Sequence, residues 1–340
     1  MLKTTSLVWM MPAVFILLIP GAFGSIYWTS LFIMVLINIL LTSSIRVIWL
    51  TGQISMGHAA FMMIGAYVSA ILTIKAGFSF WLALPVSGLA SGLVALVIGF
   101  PFLRVTGIYF SILTIMTSET LRHLAYSWTS MTGGKLGLSG IPNPGELTIP
   151  LLGTINFQGS SEYYYLTAVI VSVSLLILYL VEKSRYGLTS RAIKESSQLS
   201  GAVGINVLWY TVFNFVTACF FAGIAGSLFA HFQSLLTADS RSTFGIISTI
   251  NFLLYMVIGG EKKFFGPAVG VAFVMVLTEL SRTLQEYQSF FIGSLAILIV
   301  IKLPGGLIGI PQQIYSILKN TFVNTNAIHP PKSNPIERKL

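Results

Sequence analysis

The sequence predicts an all-α, polytopic membrane helix bundle of about ten transmembrane helices, and three observations point there. Of its 340 residues 55% are hydrophobic and only 9% charged, with a mean hydropathy of +0.85. So few charges cannot cover a soluble globule of 37.0 kDa. The apolar residues fall in long uniform runs rather than in short alternating ones, which excludes a barrel of strands. The bases sit at the ends of those runs and are not interleaved with aromatics on one face, so the net charge of +9 reports membrane orientation and not a nucleic-acid surface.

Taken in order, the apolar runs predict spans at 7–23, 29–50, 58–74, 81–103, 105–126, 163–181, 209–231, 246–260, 266–285 and 288–303. The first follows Lys3 and ends at Ala22-Phe23-Gly24, which resembles a signal-peptidase site, but the many spans downstream favour an uncleaved first span. Between the second and third lies Thr51-Gly52-Gln53-Ile54-Ser55-Met56-Gly57-His58, polar and Gly-rich, the pattern of a re-entrant or broken element. With the amino terminus inside, Arg104, the 182–208 loop, the turn at Glu261-Lys262-Lys263 and the tail all fall on the cytoplasmic side, as their positive charge requires. Small residues at Gly88 and Gly92, at Gly266 and Gly270, and along Gly223-Ile224-Ala225-Gly226 predict close helix packing.

The transmembrane domain is expected over 1–310, with a disordered cytoplasmic tail over 311–340 that carries Pro330, Pro331 and Pro335. An external loop at 127–162 holds Thr132-Gly133-Gly134 and Gly137-Leu138-Ser139-Gly140-Ile141-Pro142, suited to capping the outer mouth or to meeting a partner. The cytoplasmic loop at 182–208 holds a short helix expected to start at Thr189 or Ser190, run from Arg191 to Ser200 and stop at Gly201.

Gly57-His58-Ala59-Ala60-Phe61 with Gly65-Ala66-Tyr67, and then Gly107-Ile108-Tyr109-Phe110, resemble the LivM type of branched-chain amino acid ABC permease. The series continues in order through Trp128-Thr129-Ser130 and the glycine-rich external loop. It then runs through Ser184-Arg185-Tyr186-Gly187, Arg191-Ala192-Ile193-Lys194-Glu195, Gly204-Ile205-Asn206, residues 220–228 and Gly266-Pro267. Three places depart from the pattern. The turn at 259–265 lacks a Gly-Ser, Ala238 stands for a proline, and Ser196-Ser197 stand where another acid or amide is common.

The resemblance implies a type II ABC importer permease fold in the inner membrane of a prokaryote. It also implies the partners: a second, LivH-like permease, two cytoplasmic ATPases and a periplasmic or lipid-anchored binding protein. Family members also carry urea and short amides. In this frame Arg191, Ala192, Ile193, Lys194, Glu195 and Gly204 are the residues expected to couple the chain to an ATPase. The charged members suit charge-assisted contacts, with Ala192, Ile193 and Leu199 as the apolar face.

The chain carries no phosphate-binding Gly-rich loop, no His-Glu-x-x-His and four scattered histidines, so no cofactor or metal is expected and ATP hydrolysis would belong to other subunits. Its single cysteine, Cys219, reads as packing. For a zwitterion crossing the bundle, the candidate path residues are Gln53, Ser55, His58, Ser111, Thr114, Thr117, Ser118 and Asn214. Ser111, Thr114 and Ser118 share one helix face, which serves either a path or interhelical hydrogen bonding. His58 at a span entry either joins that path or satisfies a neighbouring carbonyl. Glu119 and Arg122, three apart, are expected to pair, and Arg46 near a cytoplasmic helix end is expected to snorkel. Two rival classes stay open. An ion-driven transporter would place acids at mid-membrane, where only Glu119 and Glu279 come near, and a membrane enzyme would need a cluster of His, Asp or Cys at one depth.

Overall fold

The computed structural model describes residues 25–149, 153–155, 157, 159–239, 243–303 and 305–309. The expected span at 7–23 and the expected tail at 311–340 lie outside the described residues. From 29–50 onward every expected span coincides with a helix. These are α1 (Ile26–Trp49), α2 (His58–Ile74), α3 (Phe80–Phe102), α4 (Ile108–Ser127) and α5 (Ser160–Lys183). A short pair follows, α6 (Arg185–Glu195) and α7 (Ser197–Ala202), and then α8 (Val207–Gln233), α9 (Ile246–Gly259), α10 (Gly266–Leu280) and α11 (Gln288–Lys302). Length and apolarity suffice for crossing a membrane in α1, α3, α5, α8 and the stretch Phe290–Gly309, while α2, α9 and α10 are shorter apolar helices.

α8 and α1 form the centre, and the other helices wrap them. Phe215 of α8 makes edge contacts with Phe61 of α2 and Phe110 of α4, at 5.3 and 5.8 Å between ring centroids. The small residues let the backbones of α2, α3 and α8 meet directly, since a Cβ added at Gly65 would strike Gly223 and one at Gly226 would strike the Met62 carbonyl. Ser91 Oγ of α3 donates to the Phe61 carbonyl at 2.9 Å, closing the same three-helix contact. Cys219 is fully buried in this core.

Three local expectations are corrected. Two minimal antiparallel pairs, Leu138–Ser139 with Leu235–Leu236 and Leu147–Ile149 with Gly153–Ile155, lie outside the helices of a bundle read as all-α. The predicted span 266–285 ends as an α-helix at Leu280 and continues as a 3-10 turn over Arg282–Tyr287. There the polar residues turn to their own chain, with Ser281 Oγ donating to the Thr278 carbonyl at 3.2 Å. The single helix expected over Arg191 to Ser200 is two helices, α6 and α7, divided by Ser196 in extended backbone. The Ser196 hydroxyl accepts from the Leu199 N–H at 3.2 Å and so caps the second helix rather than lying within one.

Candidate functional site

The sequence carries most of its chemistry at one end of the bundle, where α1, α5, α6, α8 and the α9–α10 turn meet. α5 turns into α6 at Ser184, and Gly187 sits so close to the Glu182 carbonyl that a side chain there would overlap it. The corner aims a buried face of Gly187, Ser190 and Ile193 at the bundle. Asn214 Nδ2 of α8 donates to Ser190 Oγ at 2.7 Å, and Tyr186 stacks on Phe213 at 5.0 Å. The opposite face is open, with Leu188 60% exposed and, beyond Ser196, Leu199 70% and Val203 76% exposed. Of the residues expected to meet an ATPase, Arg191, Ala192, Lys194, Glu195 and Gly204 are exposed, whereas Ile193 turns inward and belongs to the bundle's packing. Gly204 leaves α7 with φ 88°, a left-handed turn that suits glycine.

Arg46 does not snorkel. It is buried at the end of α1 and forms a two-pronged ion pair with Glu182 at the end of α5, Nη2 donating to Oε1 at 3.0 Å and Nη1 to Oε2. Its Nε donates to the Glu261 carbonyl at 2.9 Å and Nη2 reaches the Lys262 carbonyl at 3.5 Å, so the α9–α10 turn closes over the pair. Arg191 of α6 donates to the same Glu182 Oε1. The pairing explains why water is unnecessary for this arginine: four protein acceptors replace it. It also brings the end of α1, the 182–208 loop and the Glu261-Lys262 turn together at one end of the molecule. Glu182 escaped the sequence reading, although a lone acid closing an apolar span opposite a lone arginine closing another was a usable signal. Beside the pair, Lys194 Nζ lies 4.2 Å from the Trp49 ring centroid, and burial holds its ammonium pKa below the ordinary value.

The stretch from 51 to 57 is a non-helical break between α1 and α2, held at its far end by side chains of other helices. Ser111 Oγ donates to the Ile54 carbonyl at 2.8 Å, the Met56 N–H donates to Thr114 Oγ1 at 3.0 Å, and the Ala59 N–H donates to Thr249 Oγ1 at 3.0 Å. Thr117 bonds its own helix, donating to the Leu113 carbonyl. Asn214 is committed to α6. The remaining candidates share a property, for Gln53 Oε1, Ser55 Oγ, His58 Nδ1 and Ser118 Oγ are buried with no hydrogen-bond partner among the described residues. His58 does not satisfy a carbonyl. Ser44 spends its one hydrogen on the Leu41 carbonyl at 2.8 Å, so His58 Nε2 is the donor in the 2.8 Å contact to Ser44 and Nδ1 is left as a bare acceptor. Each such unmade bond costs about 1–3 kcal/mol. A cavity of about 330 Å³ joins the two regions, with Gly52, Gln53 and Thr106 on one wall and Lys194, Glu195 and Gln198 on the other.

At the far end the 127–162 loop is fastened down. His231 Nδ1 of α8 donates to the Pro142 carbonyl at 2.6 Å, which leaves Nε2 to accept from Ser69 Oγ of α2 at 3.0 Å. Glu119 and Arg122 pair at 2.6 Å as expected, and Arg122 Nη1 also donates to the Ala238 carbonyl at 3.1 Å. Among the described residues no group of His, Cys, Asp or Glu has the arrangement to hold a metal ion.

Residues 27–300 match the family described as branched-chain amino acid transport system / permease component. The high-affinity branched-chain amino acid transport system permease protein LivM of Escherichia coli K12 is 30% identical over 279 residues, covering 77% of this chain and 65% of the relative. The chain therefore spans about two thirds of the length of that relative. The LivH permease protein of the same organism is 22% identical, covering 77% of this chain and 87% of the relative. The guanosine ABC transporter permease protein NupQ of Bacillus subtilis is 24% identical, covering 69% of this chain and 78% of the relative. No solved structure matches the chain significantly.

Proposed function

This chain belongs to the family of permease components of branched-chain amino acid transport systems, a multi-pass membrane family, and from that premise we propose that it is one permease subunit of an ATP-driven importer for branched-chain amino acids. In this reading it crosses the inner membrane of a prokaryote about ten times with the type II importer fold, and separate subunits supply ATP hydrolysis and substrate capture. The observation that carries the reading is the exposed face of α6 and α7. Leu188, Leu199 and Val203 stand clear of the bundle beside Arg191 and Glu195, at the end where the basic loops gather. Three exposed aliphatics interleaved with charge outside the bilayer form a surface for a protein partner. The same end holds the cavity through which Gln53 faces Lys194 and Glu195, so one unpaired acceptor of the 53–58 break lies next to the docking helix. Gln53 Oε1 and His58 Nδ1 can accept from a passing ammonium, and the Ser55 and Ser118 hydroxyls can donate to a carboxylate, without the full charge that would hold the substrate too tightly.

Reconstitution tests this directly. Vesicles holding this chain, a LivH-like permease, two ATPases and a binding protein are expected to accumulate leucine only with ATP inside the ATPase-facing compartment. Uptake by this chain alone, collapsed by an ionophore, would establish an ion-driven transporter instead. Urea or a short amide carried in preference to leucine would move the substrate assignment within the family.

α4 supports the pairing with a second permease. It is the least apolar of the long helices, and its open face runs Tyr109, Ile112, Met116, Thr120 and His123. By contrast α3 shows Leu89, Leu93 and Val97, and α5 shows Val173, Leu176 and Leu180, to the outside. Polar side chains are costly against lipid, so α4 is expected to face protein where α3 and α5 face acyl chains. A photoreactive benzoylphenylalanine at Thr120 should crosslink the partner permease and one at Val173 should not. The reverse pattern would place the interface on α5.

A further inference from the structure

We propose that Glu182 is the positioning residue through which movement of the docking helix reaches the membrane core. The inference rests on the coupling role assigned above to α6 and α7, and it names the joint that role requires. One carboxylate is shared by two arginines of opposite character. Arg46 is enclosed at the end of α1, whereas the Arg191 side chain is 46% exposed on the open side of α6, within reach of a docked subunit. Both guanidinium groups donate to the same oxygen, Oε1, and Arg46 alone also holds Oε2. A pull on Arg191 therefore changes the hydrogen bonding of Arg46 through the single Glu182 carboxylate. Arg46 in turn grips the Glu261 and Lys262 carbonyls, so the displacement passes to the turn that starts α10. Gly260, at φ 111°, gives that turn a backbone that ordinary residues rarely adopt.

Rigid transmission needs a joint that water does not loosen, and a buried two-pronged pair fits that requirement. Its partners have no aqueous alternative, and removing one leaves the other as an uncompensated buried charge. A second link runs parallel to it, since Lys194 of α6 sits over Trp49 in the last turn of α1. That contact fixes where α6 lies and carries no shared carboxylate.

The test uses the full reconstituted importer and reads two rates, substrate uptake and ATP hydrolysis. Glu182→Gln keeps the size and the hydrogen-bonding outline of the side chain and removes its charge. The ATP consumed per amino acid delivered is expected to rise about tenfold, within the usual span of coupling free energies. Glu182→Asp, which keeps the charge, should restore much of the ratio. Arg191→Lys, which keeps a charge but loses the planar fork, is read the same way if Glu182→Gln does not assemble. A constant ratio, with uptake and hydrolysis falling together or not at all, would show the trio to be a structural staple and would overturn the inference. Absence of ATP-dependent uptake in the unsubstituted complex would instead overturn the importer reading itself, so the two failures are distinguishable.

Discussion

Cells producing the Gly226→Leu variant are expected to yield almost no monodisperse protein, because that substitution drives α8 off α2. At this position the two backbones touch, and an added Cβ would overlap the Met62 carbonyl and lie against the Ala66 N–H. Neither group can yield as a flexible side-chain end can. Overpacking of a side-chain core typically costs about 1–3 kcal/mol, and a backbone collision at a helix crossing stands at or above that range. Separation would also strain the bonds that run beside the crossing, namely Ser69 Oγ with Ser227 Oγ at 2.8 Å and with His231 Nε2 at 3.0 Å. Fluorescence-detected size-exclusion of detergent extracts provides the measurement. Gly293→Leu serves as control, because an added Cβ there meets nothing within 4 Å. Equal yields from the two variants would mean that the crossing is not the stability determinant the geometry makes it.

The Leu188→Asp and Leu199→Asp double substitution is expected to abolish association with the ATPases while leaving the permease itself folded. Both leucines are largely exposed in the isolated chain, so the subunit loses little by the change. In a docked complex each would be buried, and burying a leucine contributes about 1.5–3 kcal/mol. An aspartate in the same place adds an unpaired charge to a desolvated interface. The summed loss predicts at least about a hundredfold weaker association, since every 1.4 kcal/mol is tenfold. Co-purification of the ATPases on a tagged permease checks this, with size-exclusion of the permease alone as the folding control. Undiminished co-purification would move the docking surface elsewhere. The Arg191→Ala and Glu195→Ala pair has a different expected signature. It should uncouple hydrolysis from uptake without disturbing assembly, because it removes charge from the helix and leaves its exposed aliphatics in place.

A polar segment with a short helix between two long apolar runs is legible in the sequence at α6 and α7, because such residues have few places to be but outside the bilayer. Which of their residues face outward is not. Ile193 has the composition of a docking residue and points into the bundle, whereas Leu188, outside the span first assigned to the helix, points away from it. The difference lies in where the helix starts. It begins at Arg185, one tight corner after α5, rather than at Thr189 or Ser190, and the earlier start is enforced by the close approach of Gly187 to Glu182.

Arg46 shows the same limit in electrostatic form. A single arginine near a helix end is satisfied by water or headgroups in the general case, and nothing local distinguishes it from one that is buried. Its partner Glu182 lies 136 residues away, and its other acceptors are main-chain carbonyls 215 and 216 residues away, which carry no side-chain signal at all. The spacing of α4 shows its polar stripe, yet spacing does not say that Ser111 and Thr114 spend themselves on the 53–58 backbone while Ser118 stays unpaired among the described residues.

The sequence by itself determined the apolar runs and their ends, the placing of basic residues in the segments between them, and the small residues at the helix crossings. These follow from burial in lipid, from the membrane's charge asymmetry and from van der Waals contact, which act on residues in chain order. Only the tertiary structure decided that Arg46 and Arg191 share the Glu182 carboxylate, that Asn214 holds α6, and that Gln53, Ser55, His58 and Ser118 each keep a buried polar atom unmatched among the described residues. The physical reason is that hydrogen bonds and ion pairs act over about 3 Å, a distance that sequence separation does not encode.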